Sequence, residues 1–441
     1  MQWPVVSALD LPAEIHAATA SRSAFGARHE AAVAAILFAY PVVLLIWRGA
    51  SNILFAVLVV YSLALLYSGR RHWQPWDRDT LSFALAMALP TAAVAFSQWS
   101  HMAFNIKPYD SALTTLLCVP VYLMLRRTGP GKISVLQYAF PAAAIAACAY
   151  LALFGNYVEG RLTSSFLNSI HLGDLALVLG VLSLASIRLA HEDSAAEIAI
   201  KFAGFLAGAY LSLLSQSRGG WIALPVIAIV WVFYSRFKHK GAALAIAGPA
   251  IAALCVASYL WIDIVHQRTG AVFADLSSYQ AGHLDTSIGL RLQIWKAAFH
   301  LIGENPWFGV GPDGFARWMA PLVSSGLITP EAGNLGRAEV HNEILLRTVN
   351  MGIFGLISIL SVYIVPVVIF ARARTSASAV ARRAGLMGLC HMACFITFGL
   401  TVEILNLKMT LVFFALILTV LLALTKNVHL EAESRSEVPV V

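Results

Sequence analysis

The sequence predicts an all-α, polytopic integral membrane protein with about twelve transmembrane helices and one large periplasmic loop that itself contains helices. Three observations carry this. Of the 441 residues, 59% are hydrophobic and only 12% are charged, with a mean hydropathy of +0.75, far more apolar than a soluble core requires. Apolar runs approaching the roughly 17–25 residues that cross a bilayer recur from end to end. Lysine and arginine gather in every second connection. Length alone suggests two or three soluble domains, but the hydropathy overrides it, and the chain reads as a single membrane domain over 1–441.

The apolar runs lie at 31–47, 53–67, 80–96, 113–125, 134–154, 172–189, 202–214, 221–233, 242–265, 344–370, 384–400 and 409–424. Basic residues orient them. Arg22 and Arg28 precede the first run. Arg70, Arg71 and Arg78, then Arg126, Arg127 and Lys132, then Arg188 and Lys201 follow. Arg236, Lys238 and Lys240, then Arg372, Arg374, Arg382 and Arg383, and finally Lys426 and Arg435 complete the set, 19 of the 30 lysines and arginines. The bias places both termini in the cytoplasm and makes the net charge of +7 an orientation signal rather than a nucleic-acid footprint. The first run follows about thirty residues of mixed polarity and reads as a signal anchor. All five cysteines (Cys118, Cys148, Cys255, Cys390, Cys394) fall in predicted spans, so they read as small apolar residues, with no disulfide framework or zinc site implied.

One connection is long. Residues 266–343 form a loop inserted between the ninth and tenth spans, expected on the periplasmic side. Its first part, 267–288, is polar without a clear period. From Gly289 the pattern turns amphipathic, with Leu290, Ile294, Ala298 and Leu301 at three- and four-residue steps, which predicts a helix. It stops near Gly303, where Asn305-Pro306 acts as a breaker. A Gly/Pro turn region with aromatics, 307–315, suits a loop dipping into the membrane interface. Residues 321–336 are loop-like, and a helix resumes near Glu339 and runs into the tenth span. The polar tail after Lys426 is expected to be disordered.

Two nucleotide-like motifs carry little. Gly309-Val310-Gly311-Pro312-Asp313-Gly314 matches G-x-G-x-x-G, but a proline interrupts it and no strand precedes it. Asp77-Arg78-Asp79 resembles a metal-holding D-x-D, yet sits in a short basic connection where a charged turn capping the third helix explains it.

The external arginines are more telling. Arg218 lies in Ser215-Gln216-Ser217-Arg218-Gly219-Gly220 between two apolar runs, where glycines let the backbone approach a ligand. Arg291 starts the amphipathic helix, and Arg161 follows the fifth span in Glu159-Gly160-Arg161. Each guanidinium can fork onto phosphate oxygens and stays charged; the plainer alternative is interfacial snorkelling or an ion pair with Glu159 or Glu304. His341 precedes Asn342-Glu343-Ile344 at the start of the tenth helix, where the helix field favours a neutral ring able to accept a proton. It could equally be a capping or interface histidine, and His266, His283 and His300 are rivals.

The order Ser-Gln-Ser-Arg-Gly (215–219), Arg291 with Trp295 four residues on, Asn305-Pro306 followed by Gly309-Val310-Gly311 and Phe315, then His341-Asn342, resembles the O-antigen ligase/polymerase superfamily. Arg161, Asn168 and His171-Leu172-Gly173 also resemble its pattern, although the usual Asn-Pro-Ile reads Asn168-Ser169-Ile170 here. The specific part covers about 161–355. Within the superfamily the length, the spans and the single long loop look most like the lipopolysaccharide O-antigen ligases. The resemblance implies transfer of an O-polysaccharide from undecaprenyl pyrophosphate to a sugar hydroxyl of lipid A-core, at the periplasmic face of the bacterial inner membrane. It assigns the essential arginines to Arg218 and Arg291, more weakly Arg161, and the catalytic histidine to His341. The chemistry is consistent. A pyrophosphate leaves once cations neutralise it, which arginines can do without a metal or cofactor, and the acceptor hydroxyl needs a base. Inversion at the anomeric carbon follows if no enzyme nucleophile intervenes; Asp285, Asp313 and Glu339 keep a covalent route open. Polysaccharide polymerases and protein O-oligosaccharyltransferases of the same superfamily share the donor. A transporter would call for an internal repeat and intramembrane charge, and no repeat is present.

Overall fold

A computed structural model describes residues 13–68, 76–188, 192–234 and 240–426. Arg70, Arg71, Arg236, Lys238, Arg435 and the C-terminal tail lie outside these residues, as do the side chains of Arg22 and Lys240. In chain order the elements are α1 (Ala13–Leu44), α2 (Ala50–Ser68), α3 (Arg78–Ser100), α4 (Lys107–Leu116), α5 (Cys118–Leu125), α6 (Pro130–Ile133) and α7 (Leu136–Phe154). A hairpin of β1 (Asn156–Val158) and β2 (Arg161–Thr163) follows. Then come α8 (Ser169–Ala185), α9 (Ala195–Ser215), α10 (Arg218–Trp221), α11 (Ala223–Tyr234), α12 (Lys240–Trp261) and α13 (Asp263–Gln280). The last are α14 (Ser287–Glu304), α15 (Phe315–Ser324), α16 (Pro330–Gly336), α17 (Glu343–Ala373), α18 (Ala379–Gly399) and α19 (Lys408–Lys426). The protein is an all-α polytopic membrane protein. Among the described residues, nine helical stretches are long and apolar enough to cross a membrane. The predicted runs at 172–189 and 221–233 fall on shorter apolar helices, and the run at 242–265 falls on α12, which has 22 residues.

α19 is the axis of the bundle: 94% of its most apolar window is buried, with Phe413 and Phe414 at its centre against Phe395 of α18. The helices around it alternate in direction, so the connections sort to two ends. One end holds Asp77 and Asp79 with Arg126, Arg372 and Lys426, and Asp193 with Arg188 and Lys201. Asp77 caps α3 by accepting from Thr80 N at 2.7 Å, as its position suggested, but Asp79 pairs across the bundle rather than facing solvent. Lys201, expected as a membrane flank, is buried within α9, its Nζ 2.7 Å from Asp193 Oδ2. The other end carries the hairpin, the α9–α10 turn, residues 262–343 and the 400–407 connection. A 21-residue helix such as α9 rises roughly 30 Å, which separates the ends.

α8 and α9 are pressed together by glycines. A Cβ on Gly208 would stand 2.4 Å from Ala176 O, and one on Gly180 would stand 3.0 Å from Phe205 O. Between lipid-embedded helices close backbone approach replaces the hydrophobic drive. This contact brings the N-terminal end of α8 against the C-terminal end of α9.

The long connection differs from expectation in three places. Residues 267–288, read as aperiodic, are helical up to Gln280 in α13, which has no buried residue and so no apolar stripe to betray it. Residues 321–336 are partly helical, in α15 and α16. The helix expected from Glu339 begins at Glu343, because His341 takes φ 59° and Asn342 is the cap, accepting from Leu345 N at 3.0 Å.

The aromatic turn at 307–315 fills a break in α17. Gly352 has φ 59° and ψ −144° there, a conformation that is essentially glycine-only. In an unbroken helix Ile353 N would bond Val349 O. Instead Ile353 N donates to Pro306 O and Val310 N donates to Val349 O, both at 2.9 Å. The loop thus satisfies both groups that the break frees. Asn350 Oδ1 accepts from Phe315 N at 3.0 Å, and Ser97 Oγ donates to Phe308 O at 2.9 Å, tying the turn to α3.

Candidate active site

Arg161 is placed by a two-residue hairpin turn, Glu159-Gly160, both at positive φ, which suits the twist of paired strands. α9 ends with Gln216 in the left-handed region (φ 56°, ψ 32°), leaving the last carbonyls of the helix without intrahelical donors. One of them, Ser215 O, accepts from Arg161 Nε at 3.1 Å, and Gln216 Nε2 donates to Gly160 O at 3.0 Å. Ser217 Oγ then donates to Asp174 Oδ1 at 2.8 Å, anchoring the turn to α8, and Arg218 opens α10. The glycines beside it serve protein packing rather than an approaching ligand: a Cβ on Gly219 would meet Thr401 Oγ1 at 2.4 Å, and one on Gly220 would meet Asp174 Oδ1 at 2.7 Å.

A fourth arginine, not singled out from the sequence, joins these. Arg268 on α13 donates from Nε to Gln216 Oε1 at 2.7 Å, and its carbonyl accepts from Arg218 Nη1 at 3.1 Å. Arg291, on the second turn of α14, has no hydrogen-bond partner among the described residues. All four are half-buried, and none enters an ion pair among the described residues. The Glu159 and Glu304 pairings that would have made these arginines merely structural are not formed; Glu304 faces His300 at 3.4 Å. Burial first, and then the neighbouring guanidinium charges, hold Arg161, Arg268 and Arg291 below the ordinary arginine range. Such a cluster stores mutual repulsion that a bound polyanion would relieve.

His341 sits beside this cluster on a backbone held from both sides. The peptide before it is clamped: Val340 O accepts from Trp295 Nε1 at 3.1 Å, one helical turn beyond Arg291, and Val340 N donates to Glu403 Oε1. Asn342 Nδ2 reaches Leu400 O at 3.3 Å, and Leu405 N donates to Glu343 Oε2 at 3.0 Å. The 400–407 connection therefore grips residues 340–343 and sustains the left-handed conformation, which costs a non-glycine residue about 1–2 kcal/mol. The ring is buried to 9% exposure, with Nδ1 3.1 Å from Glu339 Oε2, a close approach without hydrogen-bond alignment. Glu339 is thus the carboxylate nearest the ring, which lies just before the Asn342 cap of α17. That His341 ring is the main reason Glu339 lies below the ordinary carboxylate range against the effect of burial, with His171 and Arg291 adding to it. His171, buried at the start of α8, bonds Asn168 Oδ1 through Nδ1 at 2.8 Å.

The rival histidines are elsewhere. His266 packs against Tyr259 with the rings tilted by 31°, His300 faces Glu304 and His283 is exposed just after α13. Asp285 accepts from Thr329 Oγ1 at 2.5 Å, a loop contact, and Asp313 lies in a separate cavity. Among the described residues no group of three His, Cys, Asp or Glu is placed to hold a metal ion.

The all-α membrane fold thus places a buried histidine beside arginines that enter no ion pair among the described residues. Comparison with known proteins adds to this: residues 203–360 match a family model described as O-antigen ligase. The match spans Arg218, Arg291 and His341 and stops short of Arg161, and it supports a ligase- or polymerase-type enzyme of that superfamily. An uncharacterized protein of Haemophilus influenzae is 27% identical over 301 residues, which are 66% of this chain and 73% of that protein.

Proposed function

We propose that the protein is an O-antigen ligase. It transfers an O-polysaccharide from undecaprenyl pyrophosphate to a sugar hydroxyl of lipid A-core at the periplasmic face of the bacterial inner membrane. The observation that carries this reading is the gathering of Arg161, Arg218, Arg268 and Arg291, none in an ion pair among the described residues, next to His341. The arginines bind the pyrophosphate and neutralise the charge that grows on it as it leaves. His341 takes the proton of the acceptor hydroxyl while the new anomeric C–O bond forms and the C–O bond to phosphate breaks, its electron pair departing with the pyrophosphate. Glu339 stabilises the imidazolium that results. A single displacement inverts the anomeric carbon. A polymerase of the same superfamily would use the same donor chemistry on a different acceptor. Deleting the gene and resolving lipopolysaccharide on a gel separates the two. Bare lipid A-core with polymer retained on the lipid carrier fits the ligase; cores bearing a single repeat unit fit a polymerase and overturn the ligase reading.

A further inference from the structure

A polar cavity opens at the same end of the bundle, and none of the four arginines lines it. It has a volume of about 220 Å³ and lies between α3, the start of α4, the 312–313 turn, α17 and the 400–407 connection. A single water needs about 15 Å³ measured in this way, so the space exceeds a water site by an order of magnitude. Its chemistry rests on Arg347, Asn350, Asn406, Lys107, Asp110 and Asp313.

Each of these groups keeps hydrogen-bonding capacity unspent. Arg347 commits Nε to Glu343 Oε1 at 2.8 Å, leaving most of the five donors of a guanidinium. Asn350 gives Oδ1 to Phe315 N and retains its amide N–H groups. Asn406 gives Nδ2 to Glu403 Oε2 at 3.0 Å and retains its carbonyl. Asp110 holds Lys408 through Oδ1 at 2.6 Å and retains Oδ2. Asp313, on a left-handed backbone at φ 58°, and Lys107 line the remaining rim. Donors and acceptors are interleaved, and the formal charges cancel: Arg347 with Glu343, Lys408 with Asp110, Lys107 with Asp313. A phosphate would call for the net positive charge found at the arginine cluster, and a lipid tail for an apolar wall. Polar groups of both kinds at zero net charge match the hydroxyls of a neutral sugar, each of which donates and accepts.

The cavity is also joined to the reaction centre. Arg347 and Asn350 lie four and seven residues beyond Glu343, about 6 and 11 Å along α17, whose Asn342 cap directly follows His341. Asn406 bonds one oxygen of Glu403, whose other oxygen takes the N–H of Val340, the residue before His341.

We propose that this cavity is a saccharide subsite that holds one of the two glycans a short distance from the reacting hydroxyl. The proposal rests on the glycosyl-transfer reading, and either the acceptor core or the donor polysaccharide supplies the sugar. The test uses purified full-length protein carrying Asp313→Gly, which suits the left-handed backbone, or Lys107→Ala; neither side chain has a hydrogen-bond partner among the described residues. Losing one or two such contacts weakens binding by about three- to thirtyfold. A rise of that size in KM for lipid A-core alone, with kcat unchanged, marks an acceptor subsite, and the same rise for the lipid-linked donor marks a donor subsite. Unchanged KM for both, in variants of unaltered thermal stability, overturns the proposal. A binding assay decides independently of turnover. Lys107→Cys is labelled with a membrane-impermeant maleimide in a Cys255→Ser background, since Cys255 is the exposed native thiol. Protection by O-deacylated core oligosaccharide or by the released polysaccharide supports the subsite even if wild-type protein transfers nothing; no protection by either rules it out.

Discussion

Arg291 and His341 are each left with an open task by their surroundings. Arg291 has no hydrogen-bond partner among the described residues, so its fork is free for phosphate oxygens; a charge-assisted contact of this kind contributes about 1.5–3 kcal/mol. Arg291→Ala and Arg218→Ala should therefore each lower transfer about 10- to 150-fold in a purified assay. Lysine should recover only part, because a point charge loses the bidentate geometry. Equal activity for alanine and arginine would remove these residues from the donor site. Because arginines supply the cations, transfer should survive treatment with a chelator; activity lost to the chelator and restored by a divalent ion would sink the metal-free reading. Arg268 was not singled out because 267–288 carries no period. Its role becomes visible only when Gln216 and the Arg218 contact bring α13 to the cluster. His341 was singled out by its place before the tenth helix, and no spacing rule reveals that Glu339, two positions earlier, turns back toward the ring.

α17 shows what a single element contributes. Its break at Gly352 is filled by the 305–315 turn, so the aromatic motif acts as a helix splice. A Cβ on Gly352 would meet Trp307 C and O at 2.3 Å, on a backbone that only glycine adopts readily. Gly352→Ala should cost about 1–3 kcal/mol or more and lower the melting temperature of the detergent-solubilised protein; an unchanged melting temperature would show that the splice adds little. The spans of α2, α3, α9, α17, α18 and α19 were legible because membrane-embedded helices are apolar both where they face lipid and where, as in α19, they are buried in the bundle. α13, α15 and α16 were not, because short or exposed helices leave little periodic signal. The clamp of 400–407 on 340–343 joins segments some sixty residues apart, which pattern reading along one strand of sequence cannot join.

Across the whole molecule the two ends divide the labour, one closed by ion pairs and the other built around arginines, a histidine and buried carboxylates. Glu403 belongs to the second set. Burial, the largest effect, pushes its carboxyl from 4.5 to about 8, with Glu343 and Glu339 adding and Val340 N–H opposing. A carboxyl raised on folding contributes stability that is fully present below about 4.5 and is lost as pH climbs to about 8, since the folded state holds a proton the unfolded state releases. The melting temperature should therefore fall across that window, and Glu403→Gln should flatten the fall; an identical slope in the variant would contradict the assignment. Orientation is tested by reporter fusions at Arg236 and Asp275, expected on opposite sides of the membrane; the same side for both would overturn it. The most direct test of the account is a reconstituted transfer assay with purified protein, undecaprenyl-pyrophosphate-linked O-polysaccharide and lipid A-core. The wild type should move the glycan and release the lipid pyrophosphate. His341→Ala should lose about 10²–10⁴-fold of that rate while binding the donor normally. No transfer by the wild type, or near-normal transfer by His341→Ala, would contradict the account.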